Sequence, residues 1–338
     1  MYSAGPPDRF AAQGRSPVNW LFRAVLGFFA APRVNMLEDY EKVRRRQRKL
    51  VTSLTPPTGA TDHLIASRHG DHQIPVRMFQ PKLRWRDTVL VFFHGGGWVT
   101  GDVDTYTPTC TRMATMTGCV VVSVDYRLAP EHPFPAGLED CYDVVCQLLE
   151  EAGALGLPEG DEILLIGDSS GGNLAAAVSL LLRERGPRMV QRQILLYPVT
   201  HWDHDPVTSP FDSVREHGED YRLTNAEVQD YHQLYLVDQR QRDNPLVAPL
   251  AAGDFSDQPD TLVVTAELDL LRDEAEAYGD ALAQAGNTVQ IHRVAGALHG
   301  FIALPRLSRS VREAYEVINT FLDDRPNADQ QPRDGGTT

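Results

Sequence analysis

Apolar runs of strand length alternate with helix-length segments along most of this chain. Several of the runs, such as "LVFF" and "ILLI", are apolar without alternation, as in strands that helices cover on both faces. Regular alternation of this kind predicts a mostly parallel α/β sheet. The predicted strands are "HLIASR", "QIPVRMF", "TVLVFFH", "CVVVSVD", "EILLIGD", "VQRQILLYPV", "TLVVTAE" and "TVQIHRV". From "TVLVFFH" on, helical stretches are expected to separate the strands, for example over residues 136–151, 170–185, 271–285 and 307–322.

The segment "ILLIGDSSGGNLAAA" contains a serine motif between a strand and a helix. Ser169 is the central residue of G-x-S-x-G, the pattern of a nucleophile elbow, and Gly167 and Gly171 leave room for the sharp turn that an elbow needs. The alternative is a glycine turn with a serine helix cap. Ser170 competes as nucleophile, but the turn favours Ser169, and Ser170 then offers its main-chain N–H to an oxyanion.

A run of three glycines, Gly95, Gly96 and Gly97, follows the predicted strand "TVLVFFH". Glycines at the carboxyl edge of a sheet can turn main-chain N–H groups toward a ligand without side-chain obstruction. We therefore expect this loop to supply oxyanion donors, the alternative being a flexible loop. His94, just before it, is expected to anchor the loop and not to act as a base.

Two further candidates follow strands in the order serine, acid, histidine. Asp269 comes after a strand expected to end at Ala266, and His299 comes after one expected to end near Val294. His299 would accept the serine proton, and Asp269 would orient the imidazole and stabilise its charge. The remaining alternatives are Glu267 or Asp273 as the acid, and a surface-loop role for His299.

These motifs together resemble the hormone-sensitive-lipase-like esterases, the bacterial family IV or GDXG lipolytic enzymes. The resemblance covers about three quarters of the chain, from "HQIPVRMFQP" to "VINTFL", and rests on "HGGGW", "VDYRLAPEHPFPA", "GDSSGGNLA", "YPV", "YRLT", "NPLVAPL", "LDLLRDE" and "LHGF". It implies an α/β-hydrolase fold, with an eight-stranded, mostly parallel sheet flanked by helices and a helical cap. It also implies a Ser169–Asp269–His299 triad, carboxylic-ester substrates and no cofactor. The implied oxyanion hole comprises Gly95, Gly96, Gly97 and Ser170.

Three positions depart from the pattern of that family. Leu270 stands where the family usually has the proline of Asp-Pro-Leu, Ala275 replaces the last glycine of that motif, and Ser170 replaces a frequent alanine. None of them removes a catalytic group, so they bear on loop geometry only. In "DYRLAPEHPFPA" we expect Asp125 and Arg127 to form an ion pair that holds the glycine loop.

The domain organisation is predicted from polarity and proline content. Residues 1–55 are expected to form cap helices, one of them in "NWLFRAVLGFFAAP" and one in "EDYEKVRRRQRKLV". Residues 201–243 are a polar insertion that would complete the cap, with a helix capped by Thr224 and Glu227. Residues 56–200 and 244–324 would form the catalytic domain, and residues 325–338 a disordered tail.

Charge and cysteine content narrow the class of protein. The net charge of −14 argues against nucleic-acid binding, and "HWDHD" lacks third and fourth ligands for a metal. The four cysteines have no CxxC spacing, which favours free thiols in a reducing, cytoplasmic compartment. The apolar segment "NWLFRAVLGFFAAP" is also compatible with a signal peptide, with a membrane-associated form or with weak contact at a lipid interface. A homodimer is a further open alternative.

The sequence therefore predicts a serine carboxylesterase. It would hydrolyse small ester molecules with short- to medium-chain acyl groups through an acyl-enzyme. Two alternatives stand beside it: an amidase or deacetylase with the same triad, and a catalytically silent ligand-binding homologue.

Overall fold

One eight-stranded sheet runs through the computed structural model, which describes residues 35–52, 59–158, 160–219 and 221–324. The strand order is β1-β2-β4-β3-β5-β6-β7-β8; β2 is antiparallel to both neighbours, and all other pairs are parallel. This is the mostly parallel α/β sheet that the alternating pattern predicted. The strands are β1 Ala60–Ala66, β2 Gln73–Phe79, β3 Thr88–Phe93, β4 Val120–Val124, β5 Glu162–Asp168, β6 Arg192–Leu196, β7 Asp260–Leu268 and β8 Val289–Leu298.

Helices cover both faces of this sheet. The α-helices within the described residues are α1 Met36–Thr52, α2 Val103–Thr117, α3 Ala136–Glu151, α4 Ser170–Arg185, α5 Asp212–His217, α6 Asn225–Tyr235, α7 Arg272–Gln284 and α8 Arg309–Asp323. Apolar side chains of α3, α4 and α7 pack on one face, and those of α2 and α8 pack on the other. Strands β3 to β6 are accordingly buried at every position except Glu162 at the start of β5, which explains their lack of polar alternation.

Helix α2 is one of the helical stretches expected between strands, but the sequence pattern gave no bounds for it. It contains Pro108 and a polar, threonine-rich sequence, so its apolar periodicity is weak. Its start is nevertheless encoded, because the Asp102 side chain accepts the Thr105 N–H while the Thr105 hydroxyl accepts the Asp102 N–H. That capping box makes the N-terminus of α2 a defined point immediately after the glycine loop.

Helix α1 and the segment between β6 and β7 meet above the carboxyl edge of the sheet. The Arg44 guanidinium of α1 donates to Val99 O at 2.6 Å and to Ala129 O at 2.7 Å. At the other end of the same helix, Met36 N–H donates to the carboxylate of Asp230 on α6 at 3.1 Å. Helix α1 is thus bound both to the glycine loop and to α6.

The predicted helix capped by Thr224 is present as α6, with the reciprocal Thr224–Glu227 capping bonds. The first predicted N-terminal helix and the predicted tail lie outside the described residues. Among the helices that are described, none combines the length and the apolarity that a membrane span requires.

Candidate active site

The candidate site residues all follow strands that end at one edge of the sheet. His94 comes directly after β3, Ser169 after β5, Asp269 after β7 and His299 after β8. Because these four strands are parallel, their carboxyl ends meet at the same edge, where ligands of α/β sheets bind. Strands β7 and β8 end at Leu268 and Leu298, later than expected from the sequence, so that the candidate acid and histidine follow them without a gap.

Ser169 has the strained backbone of an elbow. Its φ is 56° and its ψ is −121°, a conformation that few non-glycine residues adopt, and it precedes α4 immediately. The two glycines of the motif are required by close backbone contacts. A Cβ on Gly167 would lie 2.1 Å from Gly171 O, and a Cβ on Gly171 would lie 2.0 Å from Phe93 O. The turn therefore packs directly against the end of β3.

The three predicted side chains form a continuous chain of contacts. His299 Nε2 lies 2.9 Å from Ser169 Oγ, and His299 Nδ1 lies 2.7 Å from Asp269 Oδ2. The Leu271 N–H donates to Asp269 Oδ1 at 3.1 Å, which fixes the orientation of the carboxylate. Asp269 is 1% exposed, so this carboxylate faces the imidazole in a site shielded from water.

The two alternative acids have other partners. Glu267 Oε2 accepts the Gly296 N–H at 2.6 Å, where an irregularity shifts the register between β7 and β8. The Asp273 carboxylate accepts the Ser213 N–H at 2.8 Å and the Arg272 Nε–H at 2.7 Å, and thereby joins α7 to α5. Both acids are therefore engaged in holding the fold around the site.

The glycine loop presents main-chain donors next to Ser169. Gly95 N–H already donates to Asp168 Oδ1 at 2.8 Å, so it is not available to a ligand. The N–H groups of Gly96, Gly97 and Ser170 have no acceptor within the described part of the chain. Ser170 is the first residue of α4, where main-chain N–H groups lack intrahelical partners and the helix dipole favours negative charge.

Asp168 is a functional residue that the sequence analysis missed. Its carboxylate accepts from Gly95 N–H and contacts the hydroxyl groups of Tyr106 at 3.2 Å and Tyr197 at 3.4 Å. Burial raises the pKa of this carboxyl, because the charged form is costly away from water. The sequence signal that could have identified Asp168 is its position, because it is an acidic residue at the end of an otherwise apolar strand. It ties the glycine loop to the serine turn one residue before Ser169.

The expectation of an Asp125–Arg127 ion pair was wrong. Arg127 donates to the Asp140 carboxylate through Nε at 3.0 Å and Nη2 at 2.8 Å, while Asp125 Oδ1 accepts the Val103 N–H at 3.3 Å. Arg127 reaches α3 instead because Asp140 also accepts its main-chain N–H at 2.9 Å. The carboxylate of Asp168 and the guanidinium of Arg44 hold the glycine loop in place of that pair.

His94 anchors the glycine loop from below. Its ring stacks on Tyr126 with centroids 4.4 Å apart, and its Nδ1 lies 2.9 Å from Gly95 O. The Tyr126 hydroxyl donates to His94 O at 2.7 Å. His94 is fully buried beneath the loop, which suits a structural role.

The insertion helix α6 covers the glycine loop from above. A Cβ on Gly97 would lie 2.3 Å from the ring of Tyr231, and the Trp98 ring stacks on Tyr235 with centroids 4.3 Å apart. Burial raises the pKa of Tyr231 to about 12, so its hydroxyl stays neutral near pH 7. Glycine at position 97 is thus required by the close approach of this helix.

We expect the Gly96→Ala variant to lose about 10²-fold or more in kcat, as when an oxyanion donor is removed. Gly96 has a φ of 124°, and a Cβ there would lie 2.2 Å from Thr100 O, so the loop must move and carry its N–H groups away. Turnover of a short p-nitrophenyl ester measures the effect. Gly70→Ala is the control, because Gly70 also has a positive φ but faces open space. A folded Gly96→Ala protein with parental kcat would contradict this role.

The histidines of "HWDHD" are used structurally. His204 Nε2 lies 2.7 Å from the Glu274 carboxylate, and both side chains are fully buried. The Glu274 carboxylate also accepts the His201 N–H at 3.1 Å, which joins the insertion to α7. Within the described residues, no group of three or more His, Cys, Asp or Glu side chains could hold a metal ion, and the four cysteines are free and buried.

Comparison with known proteins places the chain in a family. A family model described as an alpha/beta hydrolase fold matches residues 90–303. An arylesterase of Saccharolobus solfataricus is 34% identical over 276 residues, which are 81% of this chain and 88% of the relative. The carboxylic ester hydrolase LipN of Mycobacterium tuberculosis is 33% identical over 321 residues, 89% of this chain and 83% of the relative.

Solved structures agree with this result. A hyperthermophilic esterase from the archaeon Pyrobaculum calidifontis has a TM-score of 0.80 and 34% sequence identity, and the match covers 91% of this chain and 97% of that one. The chain therefore belongs to this family of α/β-hydrolase-fold proteins. The predicted fold and the predicted resemblance to hormone-sensitive-lipase-like esterases are both confirmed.

Proposed function

We propose that this protein is a serine carboxylesterase that hydrolyses short- to medium-chain acyl esters through an acyl-enzyme. The observation that carries the proposal is the contact chain from Ser169 Oγ through His299 to Asp269, beside unused main-chain donors. Relatives named as an arylesterase, a carboxylic ester hydrolase and an ethyl acetate hydrolase support the choice of carboxylic esters.

In the first half of the proposed reaction, Ser169 Oγ attacks the ester carbonyl carbon while its proton passes to His299 Nε2. The carbonyl oxygen becomes an oxyanion, which the N–H groups of Gly96, Gly97 and Ser170 stabilise. The imidazolium then donates its proton to the alcohol oxygen, the C–O bond breaks, and the alcohol leaves. Asp269 stays ionised and stabilises the positive imidazole.

In the second half, a water molecule replaces the alcohol. His299 Nε2 accepts a proton from that water, whose oxygen attacks the acyl-enzyme carbonyl. Collapse of the second tetrahedral intermediate returns the proton to Ser169 Oγ and releases the carboxylic acid. Each step uses side chains and main-chain groups of this chain alone, so the proposal requires no cofactor or metal.

We expect p-nitrophenyl esters of two to eight acyl carbons to be turned over with kcat/KM about 10²-fold or more above the matching anilides, because an amine is a poorer leaving group than a phenol. A series from two to twelve carbons, assayed for esters and anilides side by side, measures this. Faster anilide cleavage would indicate an amidase. Absence of turnover for both series would indicate a silent binding protein.

The cap is part of the same proposal. Helix α1, α5 and α6, with the rest of the insertion 201–243, would close the space above Ser169 and select the substrate. The contacts of Arg44 with Val99 O and of Tyr231 with Gly97 support this arrangement, because they join the cap elements directly to the glycine loop.

A further inference from the structure

The side chain of Arg222 lies against the loop that carries His299. Its Cζ, Nη1 and Nη2 atoms are 3.5, 3.5 and 3.7 Å from the point that a Cβ on Gly300 would occupy. Because these three distances are nearly equal, the flat face of the guanidinium covers Gly300. The N–H groups lie in the plane of that group and therefore point sideways, away from the Gly300 backbone.

Hydrogen bonds at the start of α6 fix the main chain that follows Arg222. Thr224 and Glu227 form the reciprocal capping bonds of α6, and the Asn225 amide donates to Val214 O at 3.0 Å. The Asn225 N–H also donates to Gly218 O at 2.9 Å. The main chain that follows Arg222 is therefore held in place from Thr224 onward.

Among the described residues, no side chain pairs with the charge of Arg222. The side chain is exposed, and the described residues include no hydrogen-bond acceptor or carboxylate paired with its guanidinium. Two other arginines of this region do have carboxylate partners, because Arg215 pairs with Asp212 and Arg272 pairs with Asp273. Arg222 therefore places positive charge next to the histidine loop of a chain whose net charge is −14.

The half-buried Tyr106 and the buried Tyr197, whose hydroxyl groups contact Asp168, are within electrostatic reach of this charge. Burial raises the pKa of Tyr106 and Tyr197 well above the usual value, and the nearby positive charge of Arg222 acts in the opposite direction for both. The Tyr197 ring also packs edge-on against the His299 ring, with centroids 4.9 Å apart. The Arg222 guanidinium on Gly300 thus lies beside the residue that follows His299, whose ring contacts Tyr197.

We propose that Arg222 binds a carboxylate of the substrate, so that the enzyme favours esters whose acyl or alcohol portion carries a negative charge. This inference rests on the proposed esterase function and specifies its substrate class. The guanidinium has a planar pair of N–H donors that matches a carboxylate, and it is less strongly hydrated than an ammonium group. It also offsets the repulsion that an acidic protein exerts on an anionic substrate.

The test compares matched charged and neutral esters. Mono-4-nitrophenyl glutarate is paired with 4-nitrophenyl hexanoate for the acyl side, and 4-acetoxybenzoate with 4-acetoxybenzamide for the alcohol side. For each pair, the ratio of kcat/KM for the anionic ester to that for the neutral ester is measured in the parent, Arg222→Gln and Arg222→Lys. Arg188→Gln is the control, because this exposed residue lies before β6, at the opposite edge of the sheet.

We expect Arg222→Gln to lower the ratio about fivefold in at least one pair, as for loss of a partly exposed ion pair, with the neutral esters unaffected. Arg222→Lys should retain part of the preference and Arg188→Gln all of it. Added NaCl should lower the parental ratio and leave that of Arg222→Gln unchanged.

An unchanged ratio in both pairs would overturn the proposal, as would an equal loss on neutral and anionic esters, which would indicate a purely structural role. Turnover of the neutral esters by the parent tests the proposed function independently, so the two proposals can fail separately.

Discussion

The Ser169→Ala variant is expected to lose about 10⁴-fold or more in kcat on short p-nitrophenyl esters. Ser169 Oγ is the hydroxyl that contacts His299 Nε2 in the chain of contacts to Asp269, and alanine removes this attacking atom without adding bulk. Alanine also keeps the main-chain N–H of the next residue in place. The loss should therefore fall on kcat, with the thermal unfolding midpoint close to that of the parent.

Ser170→Ala is the matched control for this experiment. Ser170 is the competing serine of the motif, and it is fully buried at the start of α4. Its proposed contribution is the main-chain N–H, which alanine retains, so kcat should change by less than about threefold. Parental turnover by Ser169→Ala, or a collapse of turnover only in Ser170→Ala, would contradict the assignment of the nucleophile.

The Asp269→Asn variant is expected to lose about 10³- to 10⁴-fold in kcat. Asp269 Oδ1 accepts the Leu271 N–H, so the amide oxygen of asparagine should take that position and turn its NH₂ group toward His299 Nδ1. An NH₂ donor there forces Nδ1 to accept, which puts the imidazole proton on Nε2. In that tautomer Nε2 cannot receive the proton of Ser169 Oγ.

Glu267→Gln is the matched control, because it neutralises the neighbouring acid while keeping an oxygen for the Gly296 N–H. Its kcat should stay within about threefold of the parent, since the residue does not contact the imidazole. A large loss in Glu267→Gln together with a mild one in Asp269→Asn would reverse the assignment of the acid. Steady-state kinetics on one ester measure both variants.

Much of the fold could be predicted from local patterns. Each strand run, such as the one that became β5, is apolar and short and ends in turn residues, and such signals need no knowledge of distant contacts. The bounds of helix α2 could not be predicted because Pro108 and the threonines of the helix obscure its apolar period. Strand β8 was predicted too short because its register shift beside Gly296 depends on a contact with Glu267 of β7.

The candidate site was predictable where a motif combines chemistry with a position after a strand. Ser169, Asp269 and His299 each satisfy both conditions. The contacts that support these residues could not be predicted from the sequence, because they join residues far apart in the chain. Arg44 reaches Val99 across 55 positions, and Asp168 reaches Gly95 across 73. The wrong Asp125–Arg127 pairing arose in the same way, from choosing a partner that was near in sequence.

Covalent labelling of the protein by a fluorophosphonate tests whether Ser169 is the activated nucleophile. We expect a single adduct per chain, located on Ser169 by peptide mass spectrometry, absent in Ser169→Ala and formed much more slowly in Asp269→Asn. A parent protein that stays unmodified, or an adduct on Ser170 or another residue at the parental rate, would contradict it.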